Sequence, residues 1–334
     1  MKKKFQFAVL LFASVSFFNI SCQKQIDQPS KQEEIASAQN NNNGNGHLKQ
    51  TKTFSSDVVR SWQNMQLTML RLPLPAGTGS QGSDRLQAYT GMALYEAVVP
   101  GMPAYQSLSG QLTDFPAMPS TEPGKAYHWA ASANAALAEI SRRLFPTTAD
   151  ANKTAMNNLE NNLKSGYANE VNDATLQRSI AFGKEVATRV ANWAATDGSA
   201  NVNPPYVFPA GTGLPPAGTG LWVPTSPTPP VFAFAYQRRL LVPGSADGTA
   251  LTPLPPFSSN PTSAFYAMVK EVYDASLVLT TDQKAMADYF KDVPGYGPGG
   301  GFVWGLKEAL RIAQPKLDHS ALTFAKLGLA THEV

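Results

Sequence analysis

The sequence predicts an all-α fold, and three observations point there. Apolar residues recur at helical spacing in one segment after another. No run of alternating β-branched residues suggests a strand. The periodic segments end at turn residues, such as Gly166 and Gly198.

The N-terminus predicts export. Lys2, Lys3 and Lys4 precede a mostly apolar run from Phe5 to Phe18. That run is short of the ~20 residues a spanning helix needs, and it fits the apolar region of a signal peptide. Asn19-Ile20-Ser21-Cys22 follows, a small residue before a cysteine, which is the arrangement of a lipobox. Cys22 is the sole cysteine of the chain, so no internal disulfide can form. Residues 1–21 are therefore expected to be a signal peptide and Cys22 the lipidated residue. The expected location is the cell envelope, with the membrane as partner through the lipid. Residues 22–52 are polar and low in complexity, with Asn40 to Asn43 and Gly44-Asn45-Gly46, and predict a disordered tether. The folded region is expected over 53–334, long enough for one large core or two modest domains.

Within it, Val58, Trp62, Met65 and Met69 form one apolar helix face. Leu86, Tyr89, Ala93 and Ala97 predict a second helix, and Ala126, Ala130, Ala133, Leu137, Ile140 and Leu144 a third. Met156, Leu159 and Leu163 make a shorter one that ends at Gly166. Leu176, Ile180, Gly183, Ala187, Val190 and Ala194 form a long stripe that stops near Gly198. The small residues on these stripes predict close helix–helix approach. From about 201 to 261 the pattern breaks in a stretch dense in Pro and Gly, which neither helix nor central strand can cross. It also carries Tyr206, Phe208, Trp222, Phe232, Phe234 and Tyr236, so an ordered loop over the helices is expected. Helices then resume. Phe265, Met268, Val269, Val272 and Tyr273 share one face, a second helix starts after Thr280 or Thr281, and Phe302, Leu306, Ala309 and Ala313 mark a third. The last follows Pro315 through Ala321, Ala325 and Gly328.

Composition excludes one function class. The net charge is +3, and Lys2 to Lys4 sit in the leader, so the mature domain is close to neutral. No basic stripe with interleaved aromatics points to nucleic acid. Candidate chemistry is sparse. Of the four histidines, His47 lies in the tether, and His128, His319 and His332 fall on different predicted helices without metal-binding spacing. No metal-ligating set is expected. His332 is in line with Ala321, Ala325 and Gly328, as a buried, hydrogen-bonded core histidine would be. Glu96 falls near an apolar face, where it is either an acid of raised pKa or a carboxylate paired with a neighbour. Gly299 to Gly301 before a helix reads as an anion cradle or a flexible turn.

More specific text lies in the second half. Gly220-Leu-Trp222-Val-Pro224-Thr225 is followed by Ser263-Ala-Phe265-Tyr266, Glu271-Val272-Tyr273, Leu279-Thr280-Thr281-Asp282-Gln283-Lys284 and Asp292-Val-Pro294-Gly295. Upstream stand Trp62, Arg85, Ala88-Tyr89 and Met92-Ala-Leu94-Tyr95-Glu96-Ala97-Val98-Val99-Pro100-Gly101. In this order and spacing the chain, from about Asp57 to Val334, resembles the N-terminal helical region of bacterial vanadium-dependent haloperoxidase-type proteins, relatives of the type 2 phosphatidic acid phosphatases. The resemblance implies an all-helical domain and, in complete members, an oxyanion cage that holds vanadate or phosphate. Lys-x6-Arg-Pro, Pro-Ser-Gly-His and Ser-Arg-x5-His supply the cage.

None of the three motifs occurs here. Lys307 and Arg311 are too close and lack the following Pro, and Ser141-Arg142 has no His at the required distance. No catalytic, cofactor-binding or metal-binding residue is therefore assigned in this chain, and vanadate is expected only for a full-length member. The final helix ends with no Gly, Pro or polar stop, which predicts that the sequence breaks off within an element, before the cage helices. Apolar faces left without partners would then favour self-association. Haloperoxidase and phosphatase chemistry share one cage and stay open alternatives. A further alternative is a surface lipoprotein that captures a glycan or peptide through the aromatic Pro-rich loop.

Overall fold

The computed structural model describes residues 49–70, 80–201, 234–290 and 301–333. Among the described residues there are nine α-helices and no strand, and the pairing of Ser55 with Lys316 is an isolated antiparallel bridge. The helices are α1 (Asp57–Met69), α2 (Ser80–Val98), α3 (Trp129–Leu144), α4 (Asp150–Tyr167) and α5 (Asp173–Ala194). After the loop region come α6 (Ala264–Leu277), α7 (Thr281–Phe290), α8 (Gly301–Ala313) and α9 (Leu317–Glu333). The all-α expectation holds.

Helix α2 is the axis of the core. Ala88, Tyr89, Met92, Ala93 and Ala97 are all fully buried, and α3, α5 and α9 pack around them. Small residues make this possible. A Cβ on Gly91 would stand 2.7 Å from the Phe324 carbonyl oxygen, and one on Gly328 would stand 2.7 Å from Ala88 Cα. The α2–α9 contact is therefore backbone against backbone. Gly183 plays the same part between α5 and α3, where a Cβ would lie 2.1 Å from the Ser132 carbonyl oxygen. The predicted face of α1 is buried as read, with Val58, Trp62, Met65 and Met69 all in the core.

Caps fix several helix starts. Asn172 Oδ1 accepts from Thr175 N at 2.9 Å at the head of α5, and Ser263 Oγ accepts from Tyr266 N at 3.1 Å before α6. At α7 the cap is reciprocal. Thr280 N donates to Gln283 Oε1 at 2.9 Å, and Gln283 N donates to Thr280 Oγ1 at 3.2 Å. This capping box places the start at Thr281.

Several expectations need correction. The tether does not run to Lys52. Thr51 is fully buried and its Oγ1 donates to the Val98 carbonyl at 2.8 Å, while Trp129 Nε1 donates to the Lys49 carbonyl at 2.8 Å. Two backbone-anchored hydrogen bonds thus draw 49–52 into the fold. Helix α3 begins at Trp129 and leaves out Ala126, because His128 caps it. Helix α4 passes Gly166 and ends at Tyr167, whose ring packs on His128 at 4.7 Å between centroids. On α8 the buried pair is Leu306 and Leu310; Ala309 and Ala313 are exposed, since the larger side chains take the core side. The apolar face of α6 forms as a stripe, but no α6 residue is buried.

The described part of the loop region divides in two. Leu241 is fully buried, and its carbonyl accepts from Thr113 N at 2.8 Å, so this part lies over the helices. Leu251 and Leu254 are exposed. Tyr206, Phe208, Trp222 and Phe232, like Cys22, His47 and residues Gly299 and Gly300, lie outside the described residues.

Candidate functional site

The described polar residues converge most densely at the C-terminal end of α5. Arg85 and Tyr89 arrive from α2, one helical turn apart on one face. Asp197 follows α5 just before Gly198, whose φ of 86° turns the chain. The Asp197 side chain is fully buried. Its Oδ2 accepts from Arg85 Nε at 2.6 Å and from Tyr89 OH at 2.8 Å, and its Oδ1 accepts from Ser199 N at 2.9 Å. Burial pushes this carboxyl up, yet the Arg85 guanidinium and the Ser199 hydrogen bond outweigh it and hold Asp197 below its ordinary value. Tyr89 moves the other way. Burial, then the neighbouring Asp197 charge, keeps its phenol protonated.

The segment that returns from the loop closes onto the same place. Arg239 N donates to the Asp197 carbonyl at 2.8 Å, Arg239 Nη2 donates to the Trp193 carbonyl at 2.8 Å, and the guanidinium lies over the Trp193 ring at 4.5 Å. Glu333, at the end of α9, accepts from Leu241 N at 2.6 Å and from Ser245 Oγ. Beside it His332 is buried, its ring edge-on to Tyr89 at 6.1 Å. Neither ring nitrogen has a hydrogen-bond partner, and Glu333 Oε1 stands 3.6 Å from Nδ1, too far for one. Burial, then the positive charge of Arg238, lowers the His332 pKa and keeps the imidazole neutral. His332 is thus buried as its spacing predicts, but without the hydrogen bond expected of a core histidine.

Chemically, the cluster works as a clasp. Two carboxylates and two guanidiniums tie the ends of the loop region to α2, α5 and α9. The Arg85 guanidinium is committed to Asp197 and Ala194, and the terminal nitrogens of Arg239 to Thr196 and Trp193; Arg239 Nε is buried with no hydrogen-bond partner.

The other candidates stand apart. His128 caps α3: Nδ1 accepts from Ala131 N at 3.0 Å, so Nε2 carries the proton and faces Glu170 Oε2 at 3.1 Å. Burial lowers its pKa, and Glu170 offsets part of that. Glu96 is buried and paired, accepting from Leu108 N at 2.6 Å and Ser107 Oγ at 2.8 Å. Burial raises its pKa against those two hydrogen bonds. It anchors the turn after α2, so it is both paired and raised in pKa. Exposed Arg311 pairs with Glu308, and Arg142 with Glu160 and Asn157, so neither contributes to a common anion site. Among the described residues no three His, Cys, Asp or Glu stand together as a metal would need. No described helix is long and apolar enough to cross a membrane.

No protein-family model and no curated protein matches this sequence. A solved structure does: the first bacterial vanadium-dependent iodoperoxidase, with a TM-score of 0.65 and 22% sequence identity. The fold is shared with that enzyme. The match covers 84% of this chain and 66% of the iodoperoxidase chain. The clasp residues Arg85 and Tyr89 lie in the stretch that carries the sequence resemblance, so that stretch marks a structural joint of the bundle. Asp197 had no such signal. Its partners are remote in sequence, and alone before a glycine it reads as an ordinary turn residue.

Proposed function

We propose that these 334 residues supply the helical scaffold of a membrane-anchored, vanadium-haloperoxidase-like protein, and do not themselves hold the oxyanion. The carrying observation is the shared fold with a vanadium-dependent iodoperoxidase over 84% of the chain. The absence of Lys-x6-Arg-Pro, Pro-Ser-Gly-His and Ser-Arg-x5-His from the sequence supports the second half of the reading. An oxyanion carries charge on every oxygen and needs several convergent cationic donors. Arg85 and the terminal nitrogens of Arg239 are instead spent on a carboxylate, backbone carbonyls and a hydroxyl.

Purified protein mixed with orthovanadate, peroxide and iodide or bromide is expected to show neither saturable vanadate binding nor halide oxidation. Phosphate-ester hydrolysis is expected to be absent as well. Vanadate-dependent turnover lost on heating would place the cage inside these residues and sink the reading. The gene beyond codon 334 tests the kinship independently: an encoded Lys-x6-Arg-Pro supports it, and unrelated coding sequence counts against it.

Anchoring rests on Cys22, the only thiol in the chain, placed at the end of a leader-like segment. Replacing it, Cys22→Ala, is expected to abolish palmitate labelling and release the protein from membranes. A signal-cleaved variant that still fractionates with membranes would mean that another element anchors the chain.

A further inference from the structure

His128 joins several segments at one buried point. Its ring lies edge-on to Phe54 at 4.7 Å between centroids and packs against Tyr167 of α4. Its backbone N donates to Ser179 Oγ of α5 at 2.8 Å, and its side chain caps α3. Phe54 closes a strap, residues 49–54, that is attached to the bundle at few other places. The Trp129 indole donates to the Lys49 carbonyl, Thr51 Oγ1 donates to the Val98 carbonyl, and the Phe54 carbonyl accepts from Leu317 N at 3.1 Å. His128 and Trp129 are successive residues, so the head of α3 holds the strap at both of its ends.

The cap admits one protonation state of the ring. Nδ1 accepts from Ala131 N at 3.0 Å, so the neutral imidazole carries its proton on Nε2, 3.1 Å from Glu170 Oε2. A second proton has only Nδ1 to go to, and a protonated Nδ1 cannot accept. Imidazolium and cap therefore exclude each other. From this geometry we infer that His128 is an acid-sensitive latch: its protonation opens the head of α3 and unfastens residues 49–54, while the bundle behind them stays folded. The surrounding charges agree with that direction. Lys49, over the Phe54 ring at 4.4 Å, would face an imidazolium as a like charge. Arg178 of α5 is held on the Ala126 carbonyl. Tyr167 brings no charge, since burial, then Glu170 and Asp57, keep its phenol protonated. Glu170 favours the imidazolium, but its side chain is half exposed and its field is screened by water. Burial outweighs it and lowers the His128 pKa in the closed state. The open state then takes up its proton near the ordinary value of 6.5, and the closed state only at lower pH. Opening is thus favoured as pH falls below 6.5, by about tenfold per pH unit until the closed state itself titrates.

Amide hydrogen exchange of the full 334-residue chain, followed by mass spectrometry from about pH 7.5 to about pH 5 and corrected for the intrinsic pH dependence of exchange, reads the latch. Protection of Thr53 and Phe54 in the strap, and of Ala131 and Ser132 at the head of α3, is expected to fall as the pH is lowered. Protection of Met92 and Ala93 at the centre of α2 is expected to stay level. An Asn side chain caps a helix without titrating. Protection in His128→Asn should therefore not change with pH, whatever its level at neutral pH. Glu170→Gln removes the carboxylate that favours the imidazolium, so the fall should extend to lower pH than in the wild type. Glu170 is half exposed, so this variant folds and tests the latch independently of His128→Asn. The proposal is overturned if wild-type protection is level over the range, or if His128→Asn keeps the wild-type slope. It is also overturned if Glu170→Gln leaves the slope unchanged, or if Met92 and Ala93 lose protection in step with the strap, which would be unfolding of the whole bundle. None of these readouts involves vanadate or halide, so they are separate from the proposed function.

Discussion

Gly183→Ala is expected to destabilise the bundle severely. The added methyl would sit 2.1 Å from the Ser132 carbonyl oxygen, and what it meets is backbone, not a side chain that can swing away. Helices α3 and α5 must then separate along a packed seam that includes Ala133, Ala136, Ala187 and Val190, all fully buried. Overpacking of this kind costs about 3 kcal/mol at the upper end of the usual range. That is a large part of a domain's net stability of roughly 5–15 kcal/mol. In a domain of this size the melting temperature should fall by roughly 6–10 °C. Thermal unfolding followed by circular dichroism measures it. A fall under about 2 °C, the change expected for under 1 kcal/mol, would show that α3 and α5 do not touch at Gly183.

The second large effect is expected at the clasp. Asp197→Ala removes the partner of Arg85 and Tyr89 and the anchor of Ser199 in one step. Breaking a buried pair on one side costs about 3–5 kcal/mol, because the remaining charge stays dehydrated. Arg85 keeps some access to water, so the lower end, ~3 kcal/mol, applies. The pH dependence gives a second readout. The folded state holds Asp197 below its ordinary value of 3.8. Its stabilisation is therefore complete above that value and is lost as pH falls through the depressed folded value. Wild-type stability should drop steeply in that acid range, and the Asp197→Ala variant should lose that part of the slope. Equal slopes in urea unfolding across that range would mean that Asp197 is not held ionised by Arg85.

Residues with a periodic signal were legible in the sequence. Val58, Trp62, Met65 and Met69 face the core because a helix permits one buried stripe and they make it. Gly183 stood on such a stripe, and its reading as a close approach is what the structure has. His332 fell in register with Ala321, Ala325 and Gly328 and is buried beside them. Long-range pairing was not legible. Arg85 meets Asp197 only because α2 and α5 lie side by side, and nothing local in either residue announces the other. The same limit explains α8, where spacing admitted both an alanine-rich face and the Leu306–Leu310 face, and only packing against α1 decides between them. It explains α6 as well: periodicity reports that a face is apolar, not whether anything covers it. Thr51 was hidden by its polar neighbours, since its burial depends on a hydrogen bond to the distant Val98 carbonyl.

The glycine contact between α2 and α9 has a consequence for how the protein is made. Helix α2 is the centre of the core, yet the helix that closes one of its sides is the last described element of the chain. During synthesis the apolar face of α2 must wait, uncovered, while nearly all of the intervening sequence emerges. Contacts this remote in sequence slow folding and prolong the exposure of sticky intermediates. The chain therefore suits a post-translational route, in which holding chaperones keep it unfolded until its last helix is available, better than stepwise folding as each helix appears.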